Sequence, residues 1–264
     1  MAIEVSRDGA ITTITINRPE RRNSLDMPHF GDLARAWIDF RDDPDSRVAI
    51  ITGVDDVFCV GADLKSFVPA VTDDVEALAA GTSDMPADAA LIAVLREFDL
   101  YKPVIAAING ICVAGGVEML MGTDIRIAST DATFGIFEPK RGLFPGGGTT
   151  VRLPRQLPFP WAMEILLCCD ALDADTAFRM GLVNKVVPPG ELLEEAHRYA
   201  ERILKNAPLA IEAVKKSVLR GLGMPLEDAF AQELSLAAEI FGTEDAVEGP
   251  RAFAEKRPAV WRGR

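Results

Sequence analysis

The sequence has few of the residues and motifs on which several large classes of enzyme depend. Its 264 residues include two histidines and four cysteines. The cysteines show no CxxC spacing and no histidine cluster accompanies them, so a zinc site has no ligand set. The motifs GxSxG, HExxH, GxxxxGK[ST] and GxGxxG are missing as well. Their absence argues against serine hydrolases, zinc proteases, P-loop enzymes and Rossmann dinucleotide sites.

Long apolar runs are also missing. No stretch of 18 apolar residues occurs, and the first residues lack the basic and apolar regions of a signal peptide. We therefore expect no membrane-spanning segment and a cytoplasmic location. The four cysteines lie in apolar surroundings, and we expect all of them to be reduced thiols in the core: Cys59, Cys112, Cys168 and Cys169.

Basic residues are outnumbered by acidic ones, with 28 Lys and Arg against 40 Asp and Glu. The formal net charge is −12 and the sequence pI is about 4.7. Such a chain repels polyanions, and no basic stripe interleaved with aromatic residues relieves the repulsion. Nucleic acid is therefore not an expected partner. A small anionic ligand remains compatible with the sequence if the few basic residues meet locally.

The hydrophobic pattern predicts an α/β fold in the first part of the chain and helices in the last. Residues 3–18 read as a hairpin that turns at Asp8-Gly9, and two β-branched runs predict buried strands at 47–52 and 103–108. Residues 67–90 are weakly periodic and predict a mobile loop with a helical exit. Helical periodicity covers 28–42, 159–169, 173–180, 190–206, 208–220 and 225–241. At 48% hydrophobic residues, one large domain with a smaller appendage is expected, divided as 1–195 and 196–264.

Two glycine-containing turns could bind an anion. The first lies in FCVGADLKSF (58–67), where a strand-like run meets Gly61 and a helix is predicted to start at Ala62-Asp63. The second lies in INGICVAGGVEMLMGTD, where Gly115 precedes a short helix. The N–H groups at a helix start lack intrahelical partners and carry partial positive charge. If the Ala62 and Gly115 N–H groups pointed at one place, they would form an oxyanion hole. Taken singly, either glycine is more simply explained by a tight turn.

Two glutamates stand in apolar surroundings near glycine-rich turns. Glu118 lies three residues after Gly115, and Glu138 follows the apolar run ATFGIF. A lone buried glutamate is usually half of an ion pair. Two in one dry pocket suit proton transfer at carbon, because burial raises their pKa toward the working pH.

Six separated segments together resemble the crotonase superfamily, and specifically its enoyl-CoA hydratases. The match covers essentially the whole chain in the family's order: NRPERRNSL, FCVGADLKSF, KPVIAAINGICVAGGVEMLMGTDIRIAS, FGIFEPKRGLFPGGGTTVRLPR, ALDADTAFRMGLVNKVVP and TEDAVEGPRAFAEKR. The resemblance implies an α/β spiral core of ββα units with a C-terminal all-helical trimerisation region. It also implies a homotrimer or a hexamer built from two trimers.

The resemblance assigns roles to particular residues. Ala62 and Gly115 match the two backbone donors to the thioester oxygen, and Glu118 and Glu138 match the two catalytic glutamates. Lys65 matches a basic residue near the CoA nucleotide. Lys256 matches a C-terminal lysine that reaches CoA, either within its own chain or across a subunit boundary. Arg21, Arg22 and Ser24 match the segment that borders the adenine end of CoA. The remaining residues implied to contact CoA or the acyl chain are Val60, Asp63, Leu64, Ile111, Val113, Phe137 and Arg141.

The chain departs from the family pattern at three places. Ala114 stands where many hydratases have glycine, and Glu20 where a lysine often contributes to the CoA site. Lys140 and Arg141 replace expected apolar residues beside Glu138. Inward-pointing cations there would lower the pKa of Glu138 and weaken it as a proton donor.

The expected function is hydration of a 2-enoyl-CoA, with Glu118 as base toward water and Glu138 as proton donor. No metal or redox cofactor is expected, since CoA is part of the substrate. Alternatives within the fold are an enoyl-CoA isomerase or a carnitinyl-CoA-type dehydratase. A catalytically silent acyl-CoA-binding protein, suggested by the EPKRG segment, and a structural assembly protein are alternatives of other classes.

Overall fold

The chain opens with an antiparallel hairpin. The computed structural model of the protein describes residues 2–72 and 87–264. Strand β1 (Ile3–Asp8) pairs with β2 (Ile11–Ile16), with Asp8 opposite Ile11. The predicted turn at Asp8-Gly9 is confirmed, and Gly9 takes the left-handed conformation with φ of 58°.

A six-stranded sheet carries the core on both of its faces. Its order is β1-β2-β3-β5-β7-β10, and every pair after the hairpin is parallel. The predicted strands at 47–52 and 103–108 are confirmed within one residue. Both are covered on each face, which explains their uninterrupted apolar sequence. The four further strands are β3 (Val48–Gly53), β5 (Val104–Ile108), β7 (Ile125–Ser129) and β10 (Lys185–Val187).

A smaller sheet of four strands stands beside the large one, in the order β4-β6-β8-β9. Its strands are β4 (Val57–Cys59), β6 (Ile111–Val113), β8 (Thr133–Gly135) and β9 (Leu172–Asp173). The successive pairs β3/β4, β5/β6 and β7/β8 each place one strand in either sheet. This repetition confirms the expected spiral of ββα units and brings the ends of β4, β6 and β8 together.

Helices pack around the two sheets. Helix α1 (Met27–Asp42) buries Phe30, Leu33 and Trp37, as its periodicity predicted. The helices that follow within the described residues are α2 (Leu64–Thr72), α3 (Ala87–Ala93), α4 (Gly115–Leu120), α5 (Thr149–Gln156), α6 (Phe159–Cys168) and α7 (Ala174–Met180). The chain ends with α8 (Leu192–Leu204), α9 (Pro208–Gly221), α10 (Leu226–Phe241) and α11 (Glu244–Ala254).

The helical character of the C-terminal part is confirmed, although α5 and α11 were not predicted. Each of these two helices contains a proline, Pro154 or Pro250, which interrupts a helical pattern in sequence. The proposed boundary between residues 195 and 196 falls within α8. Ala196 and Ala200 of this helix pack on the second face of the large sheet. The division into two domains stays a prediction.

Two expectations need correction or restriction. Cys168 is exposed, whereas the other three cysteines are buried free thiols. Cys168 is the last residue of α6, and Cys169 follows it in the left-handed conformation with φ of 54°, so the chain turns between the two side chains. The predicted loop over 67–90 begins inside α2 and its helical exit is α3, while residues 73–86 lie outside the described residues. Among the helices within 2–72 and 87–264, none has the length and apolar character needed to cross a membrane.

Candidate active site

The two predicted oxyanion turns touch each other. Gly61 follows β4 with φ of 85°, a conformation that favours glycine. A Cβ atom added there would lie 2.6 Å from the Gly115 nitrogen. The turn is held in place by the segment before α1, because Leu25 N–H donates to Gly61 O and Asp63 N–H to Leu25 O, both at 2.8 Å. Gly61 therefore permits the backbone approach that joins the two turns.

Both predicted oxyanion donors are available for a ligand. Among the described residues, neither the Ala62 nor the Gly115 N–H has a hydrogen-bond acceptor. A Cβ atom built on Gly115 would lie 3.7 Å from the Ala62 nitrogen, which places the two residues side by side. The local turn is fixed by Ala114, whose N–H donates to Gly135 O at 2.9 Å. The arrangement presents two neighbouring donors at the start of α4.

Ala114 adopts a strained backbone conformation. Its φ is 51° and its ψ −125°, a region that residues with a Cβ rarely occupy. Its carbonyl accepts hydrogen bonds from the N–H groups of Val117 and Glu118. The sequence departure at this position thus places an alanine where the backbone favours glycine.

Glu118 lies on the first turn of α4 and is 8% exposed. Burial, followed by the negative charge of Glu138, raises its pKa to about 7. The Gly147 N–H donates to its Oε1 at 2.5 Å, and this bond with the cations of Arg96 and Arg152 opposes the increase. A carboxyl group in this state exchanges a proton readily near neutral pH.

Glu138 follows β8 and starts a short 3₁₀ turn over Pro139–Arg141. Its Oε2 atom is buried and has no hydrogen-bond partner among the described residues. Burial raises its pKa, against the opposing effect of backbone N–H groups and Arg141. The negative charge of Glu138 contributes to the raised pKa of Glu118. The structure therefore brings the two predicted catalytic carboxylates into one site.

The two cations after Glu138 do not neutralise it. Lys140 Nζ lies 3.1 Å from Asp170 Oδ1, and the Lys140 side chain is 52% exposed. Arg141 is exposed and donates to Phe137 O at 3.1 Å. The pKa of Glu138 is raised in spite of Arg141, because burial outweighs that partly solvated charge. Phe137, Lys140 and Arg141 line a depression open to solvent.

The segment predicted to border the adenine end of CoA lies against the first oxyanion turn. Leu25 pairs with Ala62 as an isolated parallel bridge. Arg21 and Arg22 are exposed, but Ser24 is buried at 6% and its carbonyl accepts from Arg18. The two arginines are therefore free to meet a ligand, whereas Ser24 contributes to the turn itself.

The other predicted ligand-contacting residues fall into two groups. Four lie on the strands and turns around the two N–H donors, and Leu64 begins α2 beside them: the four are Val60, Asp63, Ile111 and Val113. Lys65 is exposed at the start of α2, and its N–H bonds to Asp63 Oδ1. Lys256 is exposed beyond α11 in a left-handed conformation with φ of 54°. No contact joins Lys256 to either glutamate within the described part of this chain.

Sequence reasoning missed two contributors to the site. Gly147 supplies the N–H that binds Glu118, and a Cβ atom at this position would collide with the Glu118 carboxylate. Arg18 bonds Asp26 at 2.9 Å and lies 3.7 Å from Asp63, which ties the adenine-side segment to the turn. The glycine run 146–148 was a visible signal for Gly147, but its partner lies 29 positions away.

Comparison with known proteins gives a consistent result. The sequence model described as "Enoyl-CoA hydratase/isomerase" matches residues 6–264. The chain is 40% identical to an (E)-benzylidenesuccinyl-CoA hydratase of Thauera aromatica, covering 100% of this chain and 99% of that protein. It is 37% identical, over 100% and 99%, to a carnitinyl-CoA dehydratase of Salmonella typhi. The crystal structure of an enoyl-CoA hydratase from Mycobacterium tuberculosis superposes with a TM-score of 0.88 at 36% identity, covering 100% of this chain and 99% of that one.

Proposed function

We propose that this chain, which belongs to the enoyl-CoA hydratase/isomerase family, catalyses the reversible addition of water across the 2,3 double bond of a 2-enoyl-CoA. The proposal rests on a single site that contains two kinds of group. Two neighbouring backbone N–H groups lack an acceptor among the described residues. Beside them the buried Glu118 and the half-buried Glu138 both have raised pKa values.

The chemistry follows from these groups. The N–H groups of Ala62 and Gly115 bind the thioester oxygen and stabilise the negative charge that develops there as an enolate. Water attacks the β-carbon while Glu118 takes its proton, and Glu138 gives a proton to the α-carbon. Because both carboxyl groups have raised pKa values, the pair can hold one proton near neutral pH, as this division of roles requires.

We assign CoA binding to basic residues around the first oxyanion turn. Exposed Arg21, Arg22 and Lys65 lie on segments that flank Ala62, where they can attract the phosphates of CoA against the overall negative charge. Lys256 is the proposed contribution of the C-terminal region. A homotrimer or a dimer of trimers, a cytoplasmic location and a reaction without metal or redox cofactor stay predictions from the sequence.

A dehydratase acting on a carnitinyl-type substrate is the second candidate, supported by the relative of that name. The same site can run hydration in either direction. However, Arg96 and Arg152 place positive charge near Glu118, which disfavours a quaternary ammonium group close to the carboxylates. An isomerase generally needs only one carboxylate at the second position, and this chain has both.

A panel of trans-2-enoyl-CoA thioesters tests the proposal. The purified protein is mixed with crotonyl-CoA, longer linear, branched and dicarboxylic homologues, and crotonobetainyl-CoA, and loss of the enoyl absorbance is followed. We expect hydration of at least one neutral or anionic substrate at rates well above the uncatalysed reaction. Binding of acyl-CoA without hydration of any member would favour the silent binding protein, and positional migration of the double bond would favour an isomerase.

A further inference from the structure

Two arginines join the segment after α3 to the loop before α5. From α5, Arg152 donates through Nη1 to Val94 O at 3.3 Å and through Nη2 to Leu95 O. In the opposite direction, Arg96 donates through Nη1 to Gly146 O. The two side chains therefore cross between segments 94–96 and 146–152, and each binds backbone carbonyls of the other segment. We call this arrangement the arginine clamp.

The clamp encloses the loop that contacts Glu118. A Cβ atom at Gly148 would lie 3.8 Å from Arg152 Cδ and 3.9 Å from Arg96 Cδ, so both side chains flank this glycine. The residue before it, Gly147, donates its N–H to Glu118 Oε1 at 2.5 Å. The position of that N–H group is thus set by contacts on either side of it.

The backbone of the segment after α3, to which Arg152 binds, is strained. Leu95 and Glu97 have left-handed φ values of 56° and 53°. Such conformations cost of order 1–3 kcal/mol each for residues with a Cβ, and persist where surrounding contacts determine them. The carbonyl of Leu95 is one of those bound by Arg152. A strained segment that is bound to the loop contacting Glu118 is expected where the position of that loop is tightly constrained.

We propose that Arg96 and Arg152 are positioning residues for Glu118, because their crossed hydrogen bonds hold the Gly147 N–H on its carboxylate. This inference rests on the proposed function, in which Glu118 acts as the base. It adds two side chains that lie outside the pair of carboxylates and the pair of N–H donors.

The charges around Glu118 give the clamp a measurable signature. The charged groups that act on this carboxyl are Glu138, which raises its pKa, and Arg96 and Arg152, which lower it. The Gly147 hydrogen bond also lowers it. Loss of the clamp removes both a cation and a hydrogen bond from the ionised form, so the pKa of Glu118 must rise.

Substitution of Arg96 is the appropriate test, since its side chain is 39% exposed, whereas Arg152 is more deeply enclosed. In Arg96→Gln we expect kcat to fall at least about tenfold, with KM within about twofold, because a catalytic group is misplaced and CoA contacts are not. The ascending limb of the kcat/KM profile should move to higher pH. Arg96→Lys keeps the cation and should restore most of the wild-type limb. Arg155→Gln is the matched control, because Arg155 lies on the same helix but donates to Val151 O within it.

The result can be separated from a failure of the proposed function. Glu118 ionisation is followed directly by infrared difference spectroscopy of the neutral carboxyl band, assigned with Glu118→Gln. If Arg96→Gln lowered only thermal stability, with the ionisation of Glu118 and the pH limb unchanged, the positioning role would be overturned. If wild type hydrated no enoyl thioester, the proposed function would fail, while an upward shift of Glu118 ionisation in Arg96→Gln would still support the clamp.

Discussion

The active-site region and the C-terminal helices present opposite chemical groups at their surfaces. Around α4 the apolar side chains are buried, and what is presented is a pair of N–H donors and two carboxylates. Helix α9 has no buried residue and α10 has one, Leu236. On α10, Leu226, Phe230 and Leu234 are 69%, 59% and 74% exposed at intervals of four residues.

This difference shows that the two regions are suited to different partners. A site of donors and proton carriers is suited to a small molecule with a carbonyl oxygen. An exposed apolar stripe on one helix face is suited to another protein surface, which fits the predicted self-association. The proposed catalytic groups are assembled within one chain, whereas the C-terminal helices leave exposed apolar area, which we predict forms the contact between chains.

The largest expected effect comes from disrupting the pair of N–H donors in the proposed active site. Gly61→Ala places a methyl group 2.6 Å from the Gly115 nitrogen, so one oxyanion donor must move. We expect kcat/KM to fall about 10²–10³-fold, the range for loss of one such donor. The measurement is steady-state kinetics on the preferred enoyl-CoA.

Gly9→Ala is the matched control for backbone strain. Gly9 also has positive φ, but a Cβ atom there has open space around it. A comparable loss of activity in this variant would show that strain, not obstruction of the oxyanion site, explains the Gly61 result.

The next test disrupts the exposed apolar stripe on α10. Charged residues in the apolar stripe, in the double variant Phe230→Glu with Leu234→Glu, should convert a trimer into monomers because the charges cannot be buried unpaired. Sedimentation should then give about one third of the wild-type mass, following the symmetric trimer expected here. Val5→Glu changes an exposed apolar residue of the core hairpin, 56% exposed, and should leave the mass unchanged. If wild type and the double variant had equal masses, the apolar stripe on α10 would not be the self-association surface.

A third test measures how much the buried Glu118 carboxylate lowers the free energy of unfolding. The folded pKa of Glu118 is raised from 4.5 to about 7, so its stabilising contribution is present below pH 4.5 and is lost as pH rises through 7. Glu118→Gln should therefore stabilise the fold by up to about 3 kcal/mol at pH 8, and by little at pH 4.5. Thermal melting of both proteins at the two pH values checks this, and a gain independent of pH would contradict the assigned cause.

The smallest effect concerns the strained turn between β6 and α4. Ala114→Gly should raise the free energy of unfolding by about 1 kcal/mol, since φ of 51° suits glycine. Ala62→Gly is the control, because Ala62 is absent from the residues with positive φ, and it should destabilise by about 0.5–1 kcal/mol. Urea unfolding midpoints distinguish the two. Destabilisation by both substitutions would show that Ala114 is not strained in solution.

Much of the scaffold could be predicted from sequence because it follows apolar periodicity. The pattern Phe30, Leu33, Trp37 identified α1, and the β-branched runs identified β3 and β5. Strands of the small sheet were not individually predictable, since two or three residues, as in β9, are too few to show a period. Helix α11 was missed because Pro250 interrupts its pattern.

The site was only partly predictable, for a different physical reason. Glu118 and Glu138 were identifiable because carboxylates are unusual in apolar runs. The contacts that tune them come from distant segments, as with Gly147 and Arg96, and neither leaves a pattern in the sequence around Glu118. The effect of Lys140 could not be foreseen either, because its partner Asp170 is 30 residues away.

The most direct test of the central claim is a kinetic cycle of Glu118→Gln, Glu138→Gln and the double variant on the preferred enoyl-CoA. If the two carboxylates form one proton-handling unit, each single change should lower kcat at least about 10²-fold. The double change should then cost far less than the product of the two losses. Wild-type rates in either single variant, or losses that multiply as for independent groups, would contradict the account.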